Sequence, residues 1–131
     1  MDRKIGMALF LLAGLVPWSG ATAADGNAQN GAEVFKKCRA CHDVGPNAKN
    51  KVGPVLNGLF GRKAGTIPGF KYSDANKKAG ENGWVWTEEK MMTYLEDPHD
   101  AMPGNRMAFA GLKDPQDRAD LIAYLKTFSA K

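Results

Sequence analysis

Cys38-Arg39-Ala40-Cys41-His42 decides how the rest of this sequence is read. Both cysteines of the chain and one of its two histidines lie in these five residues. Two thiols at this spacing can add to the two vinyl groups of a haem, giving thioether bonds. The histidine that follows is then held under the iron and can ligate it. Three other chemistries use paired thiols. A thioredoxin-type exchanger needs a strand–turn–helix setting in an α/β domain. A structural disulfide over two intervening residues would close a tiny loop and stabilise little. A zinc site built from Cys and His would lack its second half.

The flanking sequence favours the haem reading. Residues 27–41 predict a helix: Asn27 can cap it, and Ala28, Ala32 and Phe35 fall at helical spacing beside Val34. From Asp43 to Tyr72 the chain reads as loop, punctuated by Gly45, Pro46, Gly53, Pro54, Gly58, Gly61, Gly65, Pro68 and Gly69. So long a loop inside a small domain normally counts against the assignment. Here it implies that the loop wraps something that is not protein. Ser73 can cap a short helix through Asn76 to Ala79, ended by Gly80. Thr87, Glu88 and Glu89 open a clearer one carrying Met91, Met92, Tyr94 and Leu95, and Pro98 stops it. Residues 99–113 read as loop again. Asp114, Pro115 and Asp117 then start a last helix with Leu121, Tyr124, Leu125 and Phe128 in an i, i+3, i+4, i+7 stripe. No segment alternates like a strand. The fold class expected is all-α, three to five helices with long loops wrapped around one covalent haem.

At 131 residues the chain is one domain of ordinary size, with 44% apolar and 24% charged residues. That excludes a disordered tail, a fibre and a multi-pass membrane protein. Residues 1–24 read as an export signal: a short charged start at Asp2-Arg3-Lys4, a twelve-residue apolar run from Ile5 to Val16, and Ala21-Thr22-Ala23 as the cleavage pattern. Twelve residues are too few to span a bilayer, which takes about 20. Residues 25–131 would then be the folded domain, with 16 Lys and Arg against 13 Asp and Glu. The charges are mixed along the chain, without the clustered stripe that nucleic acid binding requires. Export agrees with a covalent haem, which is attached outside the cytoplasm.

Iron held by one histidine needs a sixth ligand or an open site. His99, Met91, Met92, Met102 and Met107 are the candidates. Met91 and Met92 lie on a predicted helix, where packing is their simplest role, and Met102 can fill a gap. Met107 sits in a loop that can bring its sulfur to the iron without distorting a helix. Position alone favours it over its rivals only slightly.

The sequence resembles the class I cytochromes c, near the bacterial c2 and mitochondrial branches. The resemblance covers residues 26–128. It rests on Gly31-x-x-x-Phe35, the Cys38–His42 site, Gly53-Pro54-x-Leu56-x-Gly58, Gly61-Arg62-Lys63-x-Gly65 and Pro68-Gly69-Phe70-x-Tyr72 with Asn76. It continues through Trp86-Thr87-Glu88-Glu89, Tyr94-Leu95, Pro98, Pro103-Gly104-x-x-Met107-x-Phe109-Ala110-Gly111 and Leu121-Ile122-Ala123-Tyr124-Leu125.

The resemblance implies His42 and Met107 as iron ligands and one haem c on Cys38 and Cys41. It implies that the Pro54 carbonyl takes the free ring N–H of His42. It gives Arg62, Tyr72 and Trp86 the role of partnering a buried haem propionate, and Asn76 and Tyr94 that of tuning the iron on the Met side. Phe109 would cover the haem face, and Gly31 and Phe35 would cross Leu121 and Tyr124. The implied function is a monomeric periplasmic electron carrier, not an enzyme, shuttling single electrons between redox proteins. Its partners would be a membrane cytochrome complex as donor and an oxidase, reaction centre, or periplasmic dehydrogenase or reductase. Two departures stand out. Ala79–Val85 carries about three extra residues, read as a surface bulge. His99 and Asp100 replace docking lysines, leaving Lys37, Arg39, Lys51, Arg106 and Lys113 as candidates for a basic rim.

Overall fold

The computed structural model describes Gly14 and residues 25–129. The expected export signal therefore lies outside the described residues. Among the described residues there are five helices: α1 (Ala28–Phe35), α2 (Asp74–Glu81), α3 (Glu88–Glu96), α4 (Pro98–Ala101) and α5 (Pro115–Lys126). The all-α expectation holds, and the pairing of Lys63 with Val85 is the one isolated β-bridge among the described residues.

Each helix starts where a side chain can take up an orphan backbone N–H. Asn27, Ser73 and Thr87 accept from the N–H three residues on, and Asp114 accepts from Gln116. Three boundaries differ from expectation, the first being α2, which runs past the expected stop at Gly80 to Glu81. The helix over 27–41 ends at Phe35 and continues as turns, with Cys38 N–H bonded to Phe35 O and His42 N–H to Cys38 O. Pro98 was expected only to stop a helix, yet it also opens α4. Asp97 caps that helix through the Asp100 N–H, and Pro at the first helical position forfeits no needed donor.

α1 and α5 cross at Gly31. A Cβ there would lie 2.0 Å from the Asp120 carbonyl oxygen and 2.6 Å from the Tyr124 Cβ, so only glycine lets the backbones meet. Next to the crossing the Asn27 N–H donates to the Asp120 carboxylate at 2.7 Å, and Phe35 packs on Tyr124 with centroids 5.4 Å apart. The other side of α5 meets α3, where Arg118 donates to the Met92 carbonyl and pairs with Glu96. Buried between two helices, α5 hides Arg118 and Asp120 as well as Leu121, Ile122 and Leu125.

The long loops are tied by side chains rather than by strands. Asn57 and Gly45 exchange two bonds of 2.8 Å, and Asn50 holds the Val55 N–H and the Pro68 carbonyl. Segments 61–64 and 84–86 exchange three backbone bonds. The apolar residues that these loops and α1, α3 and α5 turn inward, Phe35, Leu59, Trp86, Met91, Tyr94, Leu95, Leu121 and Leu125, are buried in the core and also border one cavity.

Candidate functional site

That cavity measures about 410 Å³, within the ~300–1,000 Å³ of small-molecule and cofactor sites. All eleven residues expected at the site line it: Cys38, Cys41, His42, Pro54, Arg62, Tyr72, Asn76, Trp86, Tyr94, Met107 and Phe109. Of the rival ligands only Met91 also borders it. Met102 lines a separate surface cleft, and His99 is exposed.

Cys38 and Cys41 lie on the turns that follow α1 and are not bonded to each other. One turn separates them, so both side chains can face the cavity. Burial pushes the Cys38 thiol from 9.0 up to about 11, against the lowering effect of Lys37. A thiol that stays protonated is a poor exchange nucleophile, so Cys38 is unsuited to attack a disulfide.

His42 is held by its neighbours in one orientation. Its Nδ1 lies 2.8 Å from the Pro54 carbonyl oxygen. A carbonyl can only accept, so Nδ1 carries the proton and Nε2 keeps its lone pair. Burial lowers the His42 pKa, with Lys51 and Arg62 acting in the same direction and the Pro54 bond opposing them. The neutral imidazole that results is the form that binds a metal. Gly53 packs against the ring: a Cβ there would lie 2.5 Å from Cε1 and within 2.9 Å of both nitrogens.

Arg62 supplies the opposite chemistry. Its Nη atoms reach only the carbonyls of Val55 and Asn57, at 3.3 Å, and among the described residues no carboxylate pairs with it. Burial lowers its pKa. A partly buried cation facing a cavity without a counter-charge suits an anionic group. The Tyr72 hydroxyl accepts from the Ile67 N–H at 3.1 Å, and Trp86 sits edge-on between Trp84 and Tyr94. Burial raises Tyr94 to about 12, so its hydroxyl stays neutral. Asn76 projects from α2, and Phe109 follows Met107 across a turn closed by its own N–H.

The cytochrome c family model matches residues 28–129. The chain is 56% identical to cytochrome c2 of Blastochloris viridis over 98% of this chain and 95% of that protein. It is 57% identical to cytochrome c-550 of Ancylobacter novellus over 76% of this chain and 94% of that protein. The chain belongs to the cytochrome c family. Among solved structures it superposes on cytochrome c2 of Rhodospirillum centenum with a TM-score of 0.76 at 47% identity, covering 80% of this chain and 100% of that one. On cytochrome cH of Methylobacterium extorquens the TM-score is 0.71 at 43% identity, covering 78% and 99%.

This cytochrome c is an electron-transfer protein whose haem c is bound covalently through Cys38 and Cys41. The residues present fit that cofactor. Two thiols, a neutral imidazole with a free Nε2, a thioether sulfur and an uncompensated guanidinium all border one apolar cavity. Sequence reasoning missed Asn105, a buried asparagine on the Met107 loop that also lines the cavity. Coming straight after Pro103-Gly104, it reads as an ordinary turn residue, and nothing local signals its burial. It also missed Lys71, which borders the cavity with Lys37 and Arg106. Of the other expected rim residues, Lys51 is spent on the Arg39 carbonyl and Lys113 on Glu96 and Asp97, and Arg39 does not line the cavity.

Proposed function

We propose that this cytochrome c is a monomeric periplasmic carrier whose iron is held by His42 Nε2 and the Met107 sulfur in both oxidation states. When bound, the haem supplies a one-electron ferric/ferrous couple. Pro54 fixes the His42 tautomer and ring orientation, and Gly53 leaves that ring room. Arg62, with Tyr72 and Trp86, would receive the propionate charge; Asn76 and Tyr94 would present neutral polar groups on the Met107 side. Phe109, which lines the cavity two residues after Met107, would cover the haem face. Thioether ligation and burial both favour the reduced state and raise the potential.

The observation that carries this reading is the single cavity in which the thiols, the Pro54-bonded imidazole and Met107 converge. Residues 1–24 would be removed on export, which N-terminal sequencing of periplasmic protein checks. No helix among the described residues is long and apolar enough to cross a membrane. Lys37, Lys71 and Arg106 at the mouth, beside Val52 at 78% exposure, form the docking rim. Encounters with membrane or periplasmic redox proteins would be brief, small in area and slowed by salt. Such a carrier is not an enzyme, since His42 and Met107 would leave the iron no open site for a substrate. The test is the absorption spectrum of the ferric protein. A c-type haem with the weak red band of methionine-bound iron is expected, and a covalent haem without that band refutes Met107 as the resting ligand.

A further inference from the structure

We propose that Asn105 is a positioning residue that keeps Met107 poised at the iron, through a three-way bond from its side-chain amide. The inference rests on Met107 being the ligand. The segment from Met102 to Met107 has no helix to fix it, and its one internal backbone bond runs from the Asn105 N–H to the Met102 carbonyl. The Asn105 amide does the rest. Its Nδ2 donates to the Pro98 carbonyl at 2.7 Å and to the Met102 carbonyl at 2.9 Å, and its Oδ1 accepts the Met107 N–H at 2.9 Å. Pro98 is among the most completely buried side chains, so the anchor point does not give way. Asn105 itself is 6% exposed.

The residue type follows from the pattern. A primary amide has two donor hydrogens and an acceptor on one short stem. Aspartate would set a carboxylate oxygen against two carbonyls, and serine offers a single donor. The Met107 backbone cannot swing away from the cavity without breaking the bond to Oδ1. The one other side-chain tie of this segment, Arg106 Nη2 to the Tyr72 carbonyl at 2.8 Å, acts one residue earlier and from an exposed side chain. Asn105 thus sets the cost of releasing Met107, apart from the stability of the α1–α5 core.

The test uses the ferric holoprotein and imidazole as a competitor. Imidazole reaches the iron only where Met107 has left, so its apparent affinity scales with the released fraction. Asn105→Ala and Asn105→Asp should raise that affinity about 10- to 100-fold, the range expected from losing two or three buried hydrogen bonds. They should also weaken the red band and lower the reduction potential. Ile122→Val, in the core away from the loop, serves as the control: it should lower the urea midpoint without changing imidazole affinity. In the unmutated protein the Met107 amide should be protected from hydrogen exchange. Unchanged imidazole affinity in a folded Asn105→Ala protein overturns the inference; if the variants do not fold, an unprotected Met107 amide does so. A parent protein without the red band refutes Met107 as ligand instead, so the two failures are distinct.

Discussion

Gly31→Ala sets two physical effects of opposite sign against each other. Gly31 lies inside α1, and replacing a helical glycine by alanine gains about 1 kcal/mol from propensity. Propensity alone therefore predicts a more stable protein. The crossing with α5 predicts the reverse. The new Cβ would stand 2.0 Å from the Asp120 carbonyl oxygen, where about 3 Å is the closest real approach, so the helices must part by about 1 Å. No rotamer relieves the contact, because the obstructing oxygen belongs to backbone in the middle of α5. Overpacking of this kind costs roughly 1–3 kcal/mol, and a backbone obstacle belongs at the upper end. Parting the helices also stretches the 2.7 Å bond from Asn27 to Asp120 and loosens Phe35 from Tyr124. The net expectation is a destabilisation of about 2 kcal/mol, equivalent to a fall in Tm of roughly 10 °C for a domain of this size. Thermal and urea unfolding of the holoprotein, followed by far-ultraviolet circular dichroism, measures it. Gln29→Ala, on the exposed face of the same helix, reports propensity alone. A Gly31→Ala protein as stable as its parent, or more so, would show that α1 and α5 are not locked by backbone contact.

Met107→Ala should abolish the red band and create peroxide turnover that the parent lacks, because one iron position is freed; persistence of the band would point to Met91, the other methionine at the cavity. Arg62→Gln removes the uncompensated cation and should lower the reduction potential by on the order of 60 mV, equivalent to ~1.4 kcal/mol for one electron; protein-film voltammetry reads the shift, and an unchanged potential would mean that Arg62 does not face a propionate. The Asn27 N–H and the Gln116 amide hold the Asp120 carboxyl below its ordinary 3.8. A carboxylate with a lowered folded pKa contributes stability above its unfolded value and loses it as pH falls from there through the folded value. Urea midpoints of the parent should therefore drop more steeply below about pH 4 than those of Asp120→Asn, and parallel curves would contradict the bond.

Where the sequence carried a periodic or stereochemical signal, it was readable. The Cys38–His42 spacing, the caps at Asn27, Ser73, Thr87 and Asp114, and the Leu121–Leu125 part of the α5 stripe all reappear in the structure. All eleven expected site residues meet at one cavity because the family resemblance supplied long-range proximity, which local patterns do not contain. α4 was lost because Pro98 both ends one helix and begins the next, and a stop signal conceals a start one residue away. The one-sided stripe on α5 understated its burial. Arg118 and Asp120 look like surface charges, yet each is hidden by a bond to another helix.

The least legible part is also the one that shapes the site. Asn50, Asn57 and Asn105 each use a side-chain amide in place of a strand ladder, and no periodicity marks such a residue in advance. They explain how some thirty residues of loop can have a defined course around a cavity. They do not by themselves supply a core. The walls are apolar, the Arg62 charge has no counter-ion among the described residues, and α1, α3 and α5 pack on one another while turning further apolar side chains toward the same space. Filling that space with a covalently held haem supplies the missing apolar contacts and anionic partner together, and it anchors the chain at Cys38 and Cys41. Polypeptide that has not received haem should therefore be largely unfolded at neutral pH, with a broad, weak urea transition. A cooperative transition matching that of the holoprotein would mean that the asparagine ties and the α1–α5 crossing suffice by themselves.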